Sequence, residues 1–164
     1  VDREVLNTID NILFEYPFHL LRIKRCREWE DTLTAQVQQK SPSDTSELSE
    51  LGTTVQKSPG NDGEQYRAIV EWEDKLYNYR HWREISEQAV ADVETVLGLL
   101  NEMDRQLVSE KYFDGKTRQQ SLQTHDMTRY EYDKRVSRIR AIVGFVCLGL
   151  PISERYTEVK NRLR

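Results

Sequence analysis

Glycine and proline are scarce in this chain, with 7 Gly and 4 Pro among 164 residues. Strand-rich folds need turn residues at short intervals and alternating β-branched runs, so this scarcity, together with 32% charged residues, argues for helices. Cysteine is rarer still: Cys26 and Cys147 lie far apart, without the paired spacing of a disulfide framework or a zinc site. His19, His81 and His125 are equally scattered, and neither a metal nor a cofactor is expected. The longest apolar run, Ala141 to Leu150, contains Gly144 and Gly149 and is far too short to cross a bilayer. No signal peptide is visible, so a soluble intracellular protein without a membrane partner is expected.

Enzyme signatures are missing as well. The chain has no Gly-rich phosphate loop, no H-E-x-x-H and no nucleophile elbow, so no catalytic residue is assigned. Acidic pairs such as Glu71 with Glu73, or Glu28 with Glu30 and Asp31, stand among Lys and Arg and read as surface charges.

What is present is an uneven charge. Residues 101–164 hold 13 Lys and Arg against 9 Asp and Glu, a balance of +4, which leaves 11 against 19, or −8, for residues 1–100. A basic C-terminal part suits nucleic acid through phosphate contacts and counterion release; an acidic part suits a protein surface or simple solubility.

Hydrophobic spacing divides the chain into segments. A helical pair is expected over residues 1–39: Val5, Leu6, Ile9, Ile12 and Leu13 mark a first helix that Pro17 breaks, and Leu20, Leu21, Ile23, Trp29, Leu33 and Val37 mark a second. Residues 40–63 turn to Ser, Thr, Pro and Gly, the composition of a loop or mobile linker able to span roughly 25 Å as a random coil. Residues 64–100 read as one long helix of about 55 Å. Its apolar positions, from Ile69, Trp72 and Leu76 through Tyr79, Trp82 and Ile85 to Ala89, Val93, Val96 and Leu100, recur at a mean step of about 3.4, close to a heptad seam. That seam has to be covered by the first helices, by a second subunit or by both, and a homo-oligomer, most simply a dimer, is expected.

Residues 101–150 carry the functional signal, with 151–164 left as a tail. A helix, a short helix at about Thr117 to Thr124, a turn at His125-Asp126-Met127 and a longer basic helix follow in the order of a DNA-binding helix-turn-helix. Thr128 and Glu131 form a capping box, in which hydroxyl and carboxylate satisfy the orphan N–H groups of the new helix. Tyr132, Val136, Ile139, Val143 and Val146 make its apolar stripe, while Leu122 and Met127 close the small core with Leu107, Tyr112 and Phe113. Arg129, Tyr130, Lys134, Arg135 and Arg138 are then expected on the exposed face, where such residues reach phosphates and base edges. Lys116 and Arg118 are the expected phosphate contacts, completing the DNA-binding set. The plain alternative is a helical hairpin whose basic residues form a solvated face.

The block from Glu110 to Phe145 resembles region 4 of bacterial sigma factors. Over more of the chain it resembles the RinA/ArpU-type late-transcription regulators of phages that infect Gram-positive bacteria: Tyr16-Pro17 ahead of a charged helix, a polar insert, a long helix, Glu110-Lys111-Tyr112-Phe113 and then the helix-turn-helix. One departure is His125, where a typical member has an aliphatic residue. The resemblance implies an all-α fold, a helical bundle with one long central helix and a C-terminal helix-turn-helix module. It further implies a sequence-specific activator of late genes that works in the cytoplasm of the bacterial host on double-stranded promoter DNA, with host RNA polymerase as a second partner. Two other readings stay open: a small terminase subunit that recognises packaging-site DNA, and a helical scaffold that binds no nucleic acid.

Overall fold

The computed structural model describes residues 3–40, 62–153 and 161. Helices α1 (Arg3–Lys40), α2 (Asp62–Leu99), α3 (Glu102–Val108), α4 (Arg118–His125) and α5 (Arg129–Leu148) follow one another, with a π-helical turn at Ser109–Phe113. The fold is all-α, without a strand among the described residues. The expected linker at 40–63, apart from its ends, and most of the tail at 151–164 lie outside the described residues.

The helical pair expected over residues 1–39 is instead one helix of 38 residues, with Pro17 inside it. Proline removes the N–H that would bond to the Leu13 carbonyl and crowds that oxygen, a cost of about 3 kcal/mol. Packing around the proline offsets it. Ile9 and Leu13 are buried before it. The Phe14 ring meets Tyr112 edge-on at 4.9 Å, and Tyr16 stacks on Phe113 at 5.1 Å. Two residues after it, His19 Nδ1 lies 3.2 Å from the hydroxyl of the buried Ser86.

Two compact units form, and they do not follow chain order: the described residues up to Leu21 and from Ser86 onward make the first, those between Arg22 and Ile85 the second. The first unit has a continuous core in which Leu13, Val93, Val96, Leu107, Ile139 and Ile142 are fully buried. Each such aliphatic side chain stabilises the fold by about 1.5–3 kcal/mol relative to exposure. The stripe read along α5 lines this core: Tyr132, Val136, Ile139 and Val143 are buried and Val146 partly so, with Ile142 added. Gly144 sits at a close approach, since a Cβ there would lie 3.2 Å from the side-chain ends of both Ile9 and Leu150 and would force them to shift. Gly149 ends the helix in the left-handed region at φ 62°, where its N–H bonds back to the Gly144 carbonyl.

In the second unit the two long helices meet through Trp29 against Tyr79, with ring centroids 4.8 Å apart, and through Arg83 Nε, which donates to Glu30 Oε1 at 2.8 Å. Ile69, Trp72, Leu76 and Tyr79 are half-buried as the seam predicts, but Trp82 and Ile85 are exposed. A straight α-helix of 3.6 residues per turn drifts against a shorter repeat, and the buried row passes instead to Ser86 and Val90. Cys26 is fully buried, and desolvation followed by the neighbouring Glu30 charge pushes its thiol pKa up.

Candidate nucleic-acid interface

The helix-turn-helix segment is built from capped ends. Asn101 opens α3 by accepting the Asp104 N–H at 2.9 Å. Thr117 opens α4 with a capping box to Gln120, and Thr128 opens α5 with the box to Glu131. Backbone and side-chain hydrogen bonds from Thr128 hold the Glu131 carboxyl below its ordinary pKa. Between α4 and α5 the chain turns at Asp126, a non-glycine residue at φ 45° whose N–H bonds to the Leu122 carbonyl. Asp tolerates this left-handed region better than most residues do. The Thr117-x-x-Gln120 box was as legible in the sequence as its partner at Thr128, and sequence reasoning missed it.

The sequence-predicted DNA-binding residues fall into three groups. Arg129 and Tyr130, in the first turn of α5, have 73% of the Arg129 side chain and 75% of Tyr130 exposed. Lys134, one turn on, is also exposed and makes no ion pair among the described residues. Arg129 has only a long contact, 3.9 Å, with Asp133. The second group is tethered: Arg118 reaches Asp133 at 3.4 Å, joining α4 to α5, and Lys116 Nζ donates to Glu110 at 2.9 Å. The third group departs from expectation. Arg135 and Arg138 are half-buried and turn toward Asp104 of α3: Arg135 donates a hydrogen bond at 2.8 Å, and Arg138 Nε makes only an ion-pair contact at 3.9 Å. One residue rotates a helix by about 100°, so Arg135 follows Lys134 toward the apolar stripe instead of sharing its exposed face.

Two buried carboxylates and one half-buried one organise these elements. Asp104 is wholly buried at the start of α3, where the helix dipole favours an acid. Glu110, in the π-turn, faces Lys116, the Ser121 hydroxyl and His125, whose Nε2 lies 3.2 Å from Glu110 Oε2. Burial works to raise the Glu110 pKa, but these three partners outweigh it and hold the carboxyl below its ordinary value. His125 thus has a partner an aliphatic side chain could not use. On the other side of the π-turn, Asp10 of α1 receives the Arg140 guanidinium through two hydrogen bonds, Nε at 2.9 Å, and the Tyr112 hydroxyl at 2.7 Å. Burial opposes ionisation of Asp10 too; Arg140, Tyr112 and Lys111 prevail and lower its pKa. Burial and the Asp10 carboxylate push Tyr112 well above the ordinary phenol range. The wider π-helical register sends Glu110 toward α4 and Tyr112 toward α1, a placement frequent at functional sites.

Asp104, Glu110, Asp10 and Arg140 escaped sequence reasoning. A faint signal existed for one: Asp104 shares a helical face with Leu107 and Val108, so an acid sits on an apolar stripe. Among the described residues no cluster of His, Cys, Asp or Glu could hold a metal ion, and no helix is long and apolar enough to cross a membrane. Set against family models, curated proteins and solved structures, the chain matches none of them.

Proposed function

We propose that this chain is a sequence-specific, double-stranded DNA-binding activator of phage late genes of the RinA/ArpU type, a binding protein and not an enzyme, acting in the cytoplasm of a bacterial host. The observation that carries DNA binding is the exposed trio Arg129, Tyr130 and Lys134 on the first turns of a capped helix anchored by its apolar stripe. Late genes and activation come from the resemblance alone. The helix-turn-helix order supports docking of α5 in a major groove, with Arg118 and Lys116 toward the backbone once they exchange their carboxylate partners for phosphates.

Footprinting on promoter and packaging-site DNA tests the reading and separates activator from terminase. Arg129→Ala or Lys134→Ala should cost about 1–3 kcal/mol at a specific site and shift base preference. Undiminished affinity in the double mutant refutes the assignment, and absence of binding to any duplex at low salt favours a scaffold. We propose a second copy of the chain as a further partner, supported by the exposed Tyr77 and Trp82 on α2. Mass in solution decides it: a protein that stays monomeric at every concentration removes the dimer. Host RNA polymerase is the third partner proposed, and Glu28→Lys with Asp31→Lys should then lower promoter output without changing DNA occupancy.

A further inference from the structure

Arg135 and Arg138 stand one turn apart on α5 and share a single counter-charge, the wholly buried carboxylate of Asp104, at 2.8 Å and 3.9 Å. The two arginine side chains keep 36% and 32% of their surface exposed, so both are within reach of a ligand on α5. Only Arg135 makes an aligned hydrogen bond; Asp104 Oδ2 and Arg138 Nε are buried and lack one among the described residues. A carboxylate removed from water depends on its cations. Drawing either arginine out to a phosphate leaves that charge poorly compensated, which costs more than a solvent-screened phosphate contact returns.

We propose that Asp104 is a positioning residue that withholds Arg135 and Arg138 from the phosphate backbone, confines base reading to Arg129, Tyr130 and Lys134, and thereby sets the ratio of specific to non-specific DNA binding. The inference rests on the DNA-binding reading above. Its direction is unusual for a buried polar residue: removing the charge frees two guanidinium groups and tightens binding to unrelated DNA. A purely structural Asp104 would instead weaken every complex on mutation.

The test measures affinity against salt for wild type, Asp104→Asn, and the triple variant Asp104→Asn, Arg135→Gln, Arg138→Gln, each on the footprinted site and on a duplex of unrelated sequence. Each phosphate newly neutralised steepens the log affinity against log salt slope by about 0.9, so Asp104→Asn should steepen it by about 1–2 on unrelated DNA. The specificity ratio should fall on the order of tenfold. The triple variant, with no charge left to compensate, should return to the wild-type slope. An unchanged or shallower slope in Asp104→Asn overturns the proposal. So does a triple variant shallower than wild type, because the arginines would then be neutralising phosphates already; this comparison stands even if Asp104→Asn folds poorly. Wild type that binds no duplex at low salt removes the DNA-binding reading and this inference with it, whereas binding with an unchanged Asp104→Asn slope removes the inference alone.

Discussion

The two units use the same long helices differently. In the first, α1 and α2 contribute Leu13, Val93 and Val96 to a core that three further helical elements complete, and polar groups there are buried in networks. In the second, α1 and α2 meet through an exposed Trp29 against a half-buried Tyr79 and through an ion pair, and Cys26 is the one fully buried side chain among the described residues. Stability should therefore be concentrated where several elements converge. A two-helix contact, whose apolar residues stay half in water, is the region able to open or to accept a partner first.

The largest test of that contrast is a cavity in the first unit. Ile139→Ala should destabilise by about 2–5 kcal/mol in urea unfolding, because surrounding helices cannot collapse onto the gap. Trp29→Ala in the second unit should cost only about 1 kcal/mol, the scale of an aromatic pair. Equal losses would mean that the second unit is as tightly packed as the first.

Next comes pH. The Asp10 and Glu110 carboxyls titrate below their ordinary range, so their stabilisation is complete above that range and is lost as pH falls through it and below. Tyr112 titrates above its ordinary range, so its share is complete below a pH of about 10 and fades as pH rises past it. Thermal melting across pH should show both limbs, and Asp10→Asn should flatten the acid limb and lower the plateau. A curve unchanged by Asp10→Asn would remove the network from the account.

Smaller effects separate caps from surface. Thr128→Ala and Thr117→Ala should each cost about 1 kcal/mol, read as a lower urea midpoint. If Thr128 also orients the reading face, its loss should weaken DNA binding by more than the loss of Thr117 does. Smallest of all should be Glu30→Gln in the second unit, about 1 kcal/mol or less by the same unfolding measurement, since the amide oxygen can still accept from Arg83 and the half-exposed Arg80 can turn to water.

Much of the helix-turn-helix segment was legible before the structure. The α5 stripe, the Thr128 and Glu131 cap and the turn after His125 are local features, decided by residues three or four apart. The long second helix was legible for the same reason. Pro17 misled because its cost is local and its compensation is not: Tyr112 and Phe113, about a hundred residues away, hold the helix through it. Exposure held for Arg129, Tyr130 and Lys134 but not for two other basic residues of α5. Arg135 and Arg138 have the spacing of a surface face, yet their direction depends on Asp104, which no periodicity along α5 could reveal.

By itself the sequence determined the helical class, the caps and the basic turn that opens α5, because propensity, capping and amphipathic period act within a few residues. Tertiary structure alone decided that α1 is unbroken, that the π-turn holds Glu110 and Tyr112 to opposite sides, and which arginines of α5 turn toward Asp104. Those outcomes turn on charges and rings brought together across long stretches of chain. Their pairing energies arise only after the core has formed and excluded water.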